Sequence, residues 1–324
     1  MGDTVEAAGA GPGDGLKKGT AADRVPPEAI RAVPVRHWGR LVGALVVLAL
    51  LVLLVRAFAG ADTIQWDVVG EYLTHDTVVE GALRTLWITV VSMALGVVLG
   101  VLLAVMRLSD NQVLSGVAWG YIWFFRGTPV LVQLFLWYNL ALIFPILDLG
   151  FYRDEMNDVM TPFLAALLGL GLNEAAYMAE IARAGVLSVD HGQTEAAHAL
   201  GMSRTRTTRR IVLPQAMRVI IPPTGNEFIN MLKTSSLVSV IQYEELFRAG
   251  NIISSRNLAV MEMLLVVTVW YLALTTVFSV GQYYLERYYA RGSQRALPRT
   301  PWQRVRTNLG TFRTRSVVRK EETR

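Results

Sequence analysis

The chain has 324 residues, of which 52% are hydrophobic and 18% charged, with a formal net charge of +5 and a mean hydropathy of +0.37. These values exclude a pair of ordinary soluble domains and indicate a protein that crosses a membrane several times. The chain contains no cysteine, which excludes disulfides, Cys-based zinc sites and thiol chemistry.

The first sixty residues divide into two segments of opposite composition. Residues 1–40 are rich in Gly, Ala, Pro and charge and hold too few apolar residues to form a core, so they predict a disordered tail. Residues 41–59 form the first apolar span, interrupted only by Arg56. Residues 57–59 also fit the cleavage site of a signal peptide. Because a leader of about forty residues is long for a signal peptide, a retained helix is expected.

Charge asymmetry orients the predicted spans. Short cytoplasmic segments retain Lys and Arg, and these number six in residues 1–40 and eleven in residues 287–324. Residues 62–80, by contrast, hold five acidic residues and no Lys or Arg, and residues 148–158 hold four acidic residues and one Arg. Both termini are therefore predicted to be cytoplasmic, and the net charge needs no nucleic-acid partner, for which no motif is present. The five further spans are residues 83–105, 129–147, 162–181, about 219–241, and 258–284.

Aromatic and small residues indicate where the predicted helices meet the membrane surface or each other. Residues 111–126 are aromatic-rich with few charges, which suits a helix in the membrane interface or, equally, an early start of the third span. Gly96 and Gly100 form a G-x-x-x-G that lets two membrane helices approach closely. Gly169 and Gly171 lie in an apolar run that follows no strand, so they predict helix packing rather than a nucleotide fingerprint.

Three polar residues in the fourth span are candidates for a substrate pathway. Asn173, Tyr177 and Glu180 are spaced i, i+4 and i+7 and therefore share one helix face. That face offers an amide, a phenol and a carboxylate to a substrate rather than to lipid. The alternative for Glu180 is a simple ion pair with Arg183 at i+3.

Charged residues at membrane depth add further candidates. Such charges are costly and usually face a cavity or a partner, which favours Glu174, Glu227 and Lys233 as parts of the pathway. Lys233 could instead pair with a carboxylate or lie near the outer surface. None of the four histidines matches a recognised zinc spacing, so no metal site is expected.

A polar segment between the fourth and fifth spans carries a spaced motif. Alanine is a strong helix former with little bulk, so a helix that contains several can approach a partner closely. Gly201 is expected to end this helix at positive φ, Ser203 to cap the next one, and Pro214 to close the segment. Glu195 is expected near the start of the first helix. The motif consists of Glu195, Ala196, Ala197, three residues, Gly201, nine residues, Ile211, Val212, Leu213 and Pro214.

This motif resembles the cytoplasmic coupling loop of bacterial ABC importer permeases, in which two short helices dock into a separate ATPase subunit. Here the loop would cover residues 188–215. Asp190 and His191 replace the Pro and Lys that the family often has just before it, a departure that bears on docking contacts rather than on the fold. Three further stretches resemble the polar amino-acid branch of this family: residues 125–133 (FRGTPVLVQ), 172–181 (LNEAAYMAEI) and 222–228 (PPTGNEF).

The first of these stretches holds Arg126, Gly127, Thr128 and Pro129, which the resemblance puts at the cytoplasmic entry of a helix, where a proline is favourable. The resemblance covers residues 82–286. The first span and both tails, residues 1–40 and 287–324, look like additions to this permease domain. The resemblance implies an all-α integral protein of the bacterial cytoplasmic membrane with about six transmembrane helices. Five of them would form a type I permease core, and the sixth would be an extra N-terminal helix.

The resemblance also implies partners. Two permeases, alike or paralogous, would assemble with two ATPase subunits and an extracytoplasmic solute-binding protein and import a polar amino acid. The permease itself would have no catalytic residue and no cofactor. No Gly is followed by Lys, so a phosphate-binding loop is absent, and ATP with Mg would be bound by the partner ATPase.

Two other classes of function remain as alternatives. A secondary, ion-coupled transporter would need no ATPase, but its inverted repeats are not visible as self-similarity between the two halves. A membrane-embedded enzyme would need a catalytic motif, and no nucleophile elbow, H-E-x-x-H or kinase-like pattern is present.

Overall fold

The computed structural model describes residues 38–61 and 63–289, and most of these residues are helical. The tails predicted for residues 1–37 and 290–324 lie outside the described residues. The chain separates after Ala61 into two compact units. In the first unit, the described residues form a single helix of 22 residues, α1 (Trp38–Ala59). Its Val42–Ala59 stretch is long and apolar enough to cross a membrane.

The second unit is a helical bundle with one small hairpin. The hairpin pairs β1 (Ile146–Asp148) with β2 (Arg153–Glu155) in antiparallel register. The hairpin is a small addition to the predominantly helical fold that the sequence predicts, and Gly150 at its turn adopts a φ of +80°. The helices are α2 (Trp66–Tyr72), α3 (Asp76–Arg107), α4 (Gln112–Gly127), α5 (Val130–Tyr138), α6 (Met156–Val159), α7 (Pro162–Leu187), α8 (His191–Ala199), α9 (Arg204–Thr207), α10 (Leu213–Thr234), α11 (Leu246–Asn257) and α12 (Val260–Tyr289), with 3₁₀ turns at Leu140–Leu142 and Ser235–Ile241.

Four of the described helices are long and apolar enough to cross a membrane: α1, α3, α7 and α12. They correspond to four of the six predicted spans. Helix α10 is long enough, with 22 residues, but it contains Arg218, Glu227 and Lys233 and two interior prolines. Its α-helix ends at Thr234, and a 3₁₀ turn completes the predicted span as far as Ile241.

The third predicted span, residues 129–147, is not a single helix. Helix α5 has nine residues and is therefore about 14 Å long, whereas the hydrocarbon core of a membrane is about 30 Å thick. The rest of this stretch forms a 3₁₀ turn and strand β1. Helix α4 precedes α5 and packs against both α3 and α7, which favours the early start of this span over an interfacial helix.

Helix α7 is the centre of the second unit and packs against α3, α4, α5 and α10. Its contact with α3 is close because two glycines of α3 face it. A β-carbon added at Gly96 would lie 2.6 Å from Cγ of Glu174, and one at Gly100 would lie 2.5 Å from Cβ of Met178. The predicted packing role of the G-x-x-x-G is thus confirmed. Gly169 and Gly171 likewise face leucine side chains of α5 and α3.

Candidate functional site

A cavity of about 940 Å³ opens between α4, α5, α7 and α10. Five of the six residues predicted for the substrate pathway line it: Asn173, Glu174, Tyr177, Glu227 and Lys233. The four residues of the predicted helix-entry motif line it as well. The remaining polar lining consists of Asn230, Thr234 and Ser236.

The helix-entry motif forms the break between α4 and α5. Helix α4 ends at Gly127 and α5 begins at Val130. The two residues between them, Thr128 and Pro129, have extended backbone angles. A helix starts directly after this proline, as the sequence analysis expects. The break lies beside Asn173, which is the twelfth residue of α7 and therefore about 17 Å from the start of that helix of about 39 Å. The motif therefore lies beside the middle of α7.

Two amide side chains hold the break in place. Nε2 of Gln133 donates to the carbonyl oxygens of Phe125 at 3.0 Å and of Thr128 at 3.1 Å. Nδ2 of Asn173 donates to the same Phe125 oxygen at 2.8 Å and to Oε1 of Gln133 at 3.3 Å. Backbone groups freed by a helix break need such partners inside a membrane. Asn173 therefore supports the wall of the cavity in addition to lining it.

Side chains of both charge signs line the cavity. Glu174 and Glu227 contribute carboxylates, and Arg126 and Lys233 contribute cations. The guanidinium of Arg126 lies 5.1 Å from the centre of the Tyr177 ring, a cation–π arrangement. Glu174 is 6% exposed, and its Oε1 has no hydrogen-bond partner within residues 63–289. A buried carboxylate without a full set of partners is costly, which suits a group that meets a ligand.

Glu180 lies outside this cavity. Its Oε2 forms an ion pair with Nη2 of Arg183 at 2.8 Å, the alternative considered from the sequence. Glu180 lines a neighbouring groove of about 550 Å³ that also contains Arg107. Arg126 and Tyr177 line both the groove and the cavity, so they separate Glu180 from the cavity residues.

Two polar cavity residues of α10 were not predicted. Asn230 and Thr234 follow Glu227 at i+3 and i+7 and therefore occupy the same helix face. Sequence analysis considered only the charges of this segment. Its uncharged polar residues at helical spacing were the signal that would have found them.

The coupling segment begins with α8, and its turn follows the prediction for Gly201. Gly201 has a φ of +76°, and its N–H donates to the His198 carbonyl at 2.9 Å. The N–H of Met202 donates to the Ala197 carbonyl at 3.0 Å. These two bonds form a Schellman motif, which ends the helix at a glycine.

Three details of the segment differ from the predictions. Glu195 is the fifth of nine residues of α8, because Asp190 is the N-cap and its Oδ1 accepts from the Gly192 N–H. Ser203 occupies the N-cap position of α9, but its side chain makes no capping bond. Pro214 lies in the first turn of α10 and does not close the segment.

Residues 204–234 instead form one continuous helical run, in which a π turn at Thr208–Val212 joins α9 to α10. Pro214 has no N–H to donate to the preceding turn, and a π turn accommodates such a local loss of bonding. Ile211 lies in the π turn and Leu213 begins α10. The second half of the coupling segment is thus directly continuous with the helix that lines the cavity.

Comparisons with known proteins agree on one family. The model of the binding-protein-dependent transport system inner membrane component matches residues 96–291. The arginine transport system permease protein ArgU of Corynebacterium glutamicum is 48% identical over 284 residues, which cover 87% of this chain and 90% of that protein. The glutamine transport system permease protein GlnP of Escherichia coli is 39% identical over 211 residues, covering 64% of this chain and 91% of that protein.

Solved structures of transporters share the fold. A crystal structure of an amino acid ABC transporter with histidines is 37% identical, with a TM-score of 0.58, and the match covers 65% of this chain and 93% of that one. The MetNI methionine ABC transporter is 21% identical with a TM-score of 0.54, which is a likeness of fold alone.

Proposed function

Because the chain belongs to the family of inner membrane components of binding-protein-dependent transport systems, we propose that it imports a polar amino acid through the cavity between α4, α5, α7 and α10. It is the permease subunit of an ATP-driven transporter in the cytoplasmic membrane, and ATP is hydrolysed on a separate subunit. A secondary transporter without an ATPase is not favoured by this family membership.

The observation that carries the substrate proposal is the grouping of both charge signs in one cavity. An amino acid presents an ammonium and a carboxylate, and the cavity offers Glu174 and Glu227 to the first and Arg126 and Lys233 to the second. Helix α5 also begins at this wall of the cavity, and a helix N-terminus within the membrane favours an anionic group of a substrate. The names of the relatives, transporters of arginine and of glutamine, support the same class.

Partner subunits follow from the family in general terms. We propose two permease copies, alike or paralogous, two ATPase subunits that bind ATP and Mg, and an extracytoplasmic solute-binding protein. Residues 82–286 would be the permease domain, with residues 188–215 as its coupling loop for the ATPase. The contacts of that loop would centre on Glu195, Ala196 and Ala197 of α8, a helix that is mostly exposed, and on Gly201 in the turn after it.

The orientation follows from the charge asymmetry of the sequence, with both termini and α8 cytoplasmic. Single cysteines are clean probes because the chain has none. In intact cells, an impermeant thiol reagent should label Thr74→Cys, which precedes α3, and should not label His198→Cys in α8. Labelling of His198→Cys alone would reverse the proposed orientation.

Transport by the reconstituted complex tests the pathway. Glu227→Gln and Lys233→Gln each remove one charge from the cavity, and truncating a charged binding partner costs about 1.5–3 kcal/mol, or roughly 10- to 150-fold in binding. We expect initial uptake of labelled amino acid into proteoliposomes to fall by at least about tenfold at subsaturating substrate.

The matched control is Glu244→Gln, a similar change at an exposed carboxylate that pairs with Arg84 outside the cavity. This variant should retain wild-type uptake. Normal uptake and normal amino-acid preference in both cavity variants would show that the substrate takes another path.

A further inference from the structure

Two grooves lie along α4 outside the cavity, and Arg107 and Trp119 line both of them. The first has a volume of about 340 Å³, lies at the turn between α3 and α4, and includes Asp110. The second is the groove of about 550 Å³ that contains Glu180. Because the two share residues they adjoin, and together they are called the α4 groove.

Arg107 provides the α4 groove with free hydrogen-bond donors. It is the last residue of α3 and is half-buried. Its Nη1 donates to Oγ of Ser115 at 2.8 Å, and within residues 63–289 its guanidinium makes no other hydrogen bond and no ion pair. A guanidinium has five N–H groups, so most of them are available to an external acceptor.

The charges around the α4 groove do not balance. Arg107 and Arg126 line it together with the carboxylates of Asp110 and Glu180. The Glu180 carboxylate is already paired with Arg183 at 2.8 Å. With Arg183 counted, three arginines stand against two carboxylates, so within the described part of the chain one positive charge has no counterion. A ligand with a single negative charge would balance it.

The α4 groove lies at the cytoplasmic boundary of the membrane in the orientation proposed above. Pro162 begins both α7 and the predicted fourth span, and Glu180 follows it by about 27 Å along the helix. The hydrocarbon core is about 30 Å thick, so Glu180 lies close to its inner boundary. Arg107 reaches the same level on α3, since it follows the predicted second span, residues 83–105, by two residues. Two helices thus give the same depth, which is next to the lipid headgroups.

Two tryptophans extend the α4 groove from this level into the hydrocarbon core. Trp119 and Trp123 follow Ser115 by one and two turns of α4, or about 6 and 12 Å. Their rings stack with centroids 6.3 Å apart, and the two residues are 55% and 66% exposed. Tryptophan is enriched where a membrane protein meets the headgroup region. The groove therefore offers a cation at the boundary and aromatic surface below it, in the same order as the phosphate and acyl chains of a phospholipid.

We propose that the α4 groove binds one anionic phospholipid of the cytoplasmic leaflet, with the phosphate on the Arg107 guanidinium and the acyl chains along Trp119 and Trp123. A guanidinium binds a phosphate through parallel charge-assisted hydrogen bonds. Anionic lipids give the cytoplasmic leaflet its negative surface potential. The inference goes beyond the import function and depends on the proposed orientation only for the choice of leaflet.

Native mass spectrometry of the complete purified complex, titrated with phosphatidylglycerol, tests the site. Removal of a charged hydrogen-bond partner lowers affinity by roughly 10- to 150-fold. Arg107→Gln should therefore weaken lipid retention at least about tenfold, and Arg107→Lys should weaken it less because the charge remains. The matched control is Arg287→Gln, since Arg287 also lies in the last turn of a long helix but lines neither groove. Unchanged retention in Arg107→Gln, or an equal loss in Arg287→Gln, overturns the proposal.

Ser115→Ala separates lipid binding from local packing. This variant removes the hydrogen bond between α4 and Arg107 but keeps the positive charge. Lipid retention should stay near that of the wild type. If Ser115→Ala reproduced the loss seen in Arg107→Gln, the effect would come from the shape of the turn between α3 and α4, and the lipid site would be refuted.

The choice of ligand distinguishes a lipid from free phosphate. Inorganic phosphate should not displace phosphatidylglycerol, because it has no acyl chains to contact the tryptophans. Phosphatidylcholine carries the same phosphate without net charge and should bind more weakly. Displacement by inorganic phosphate would assign the groove to a soluble anion, and equal retention of both lipids would remove the charge argument; either result overturns the proposal.

Cross-linking tests whether another subunit covers the groove instead. Trp123→Cys introduces the only thiol of the chain, and a short thiol–amine reagent should not join it to any other chain of the complex. A cross-linked product would show that a protein surface occupies the groove, which contradicts lipid binding. Because none of these measurements involves transport, their failure would leave the import function standing, and a failure of amino-acid uptake would leave the lipid site standing.

Discussion

Substitution of Gly201 tests whether the turn after α8 transmits ATP-driven motion. Gly201 has a φ of +76°, and a β-carbon there would meet no atom within 4 Å. The cost of a side chain at this position is therefore one of backbone conformation rather than of collision. For an ordinary residue the left-handed conformation costs about 1–2 kcal/mol, and a β-branched residue is a stronger outlier.

Gly201→Val also endangers the two Schellman hydrogen bonds of this turn, each with a net contribution of about 0.5–1.5 kcal/mol. The sum is at least about 2 kcal/mol, which corresponds to roughly a 30-fold shift between the native turn and other conformations. The membrane-spanning helices are untouched, so we expect normal insertion and a large loss of ATPase stimulation by the loaded binding protein.

Gly201→Asn is the matched control, because asparagine adopts the left-handed conformation more readily than other residues with a side chain. ATPase activity of the purified complex should follow the order glycine, asparagine, valine. If valine and asparagine gave equal, full stimulation, the geometry of this turn would not matter for coupling, and the reasoning would be refuted.

Two further changes test the packing and the buried charge. Gly100→Leu should lower the melting temperature of the purified protein, because a β-carbon at Gly100 would already lie 2.5 Å from Met178 and overpacking costs about 1–3 kcal/mol. The control Gly116→Leu, which has open space around it, should leave the melting temperature unchanged. Equal melting temperatures of the two variants would contradict the close approach of α3 and α7. Glu245 lies in the link before α11, and burial raises its pKa to about 7 although two backbone N–H groups of α11 donate to it. The folded state therefore binds the proton of the Glu245 carboxyl group more tightly than the unfolded state does. Protonation of this group stabilises the fold fully below about pH 4.5, and this stabilisation is lost as the pH rises through 7. The melting temperature should fall over this window in the wild type and less in Glu245→Gln, and parallel profiles would disprove this account.

The long apolar helices could be predicted from the sequence because their signal is local. Helices α3, α7 and α12 each contain more than enough consecutive apolar residues to cross a membrane. Both ends of α3 and the C-terminal ends of α7 and α12 lie beyond the predicted spans, because a helix continues beyond the apolar stretch when polar residues still favour it. The first turn of α3, for example, begins at Asp76 and is capped by His75.

The broken third span could not be read from hydropathy, because the break depends on contacts between distant residues. Asn173 and Gln133 are 40 positions apart, and together they bond the carbonyls that the break exposes. An average over a sequence window treats residues 111–147 as apolar throughout and contains no information about such partners. The same holds for the cavity, whose residues come from four helices.

The start of α8 was predictable in principle. Aspartate is a preferred N-cap, and Asp190 followed by Gly192 offers its carboxylate to a backbone N–H two residues later. The family motif drew attention to Glu195 instead. The sequence holds no comparable signal for the π turn before Pro214, because a proline in a helix is compatible with several backbone conformations of the preceding turn.

The continuous helical run of residues 204–234 connects the coupling segment to the cavity as one long rod. Its 31 residues span about 46 Å, with Arg206 near one end and Lys233 near the other. A tilt of only about 5° about one end moves the other by about 4 Å, comparable with the size of a small functional group. Pro222 and Pro223 interrupt the hydrogen bonding of the rod between its ends, and Nε2 of Gln282 in α12 donates to the Pro222 carbonyl at 2.8 Å. If the coupling segment tilts this run, we therefore expect the movement that reaches the cavity to depend on how stiffly α12 braces this joint.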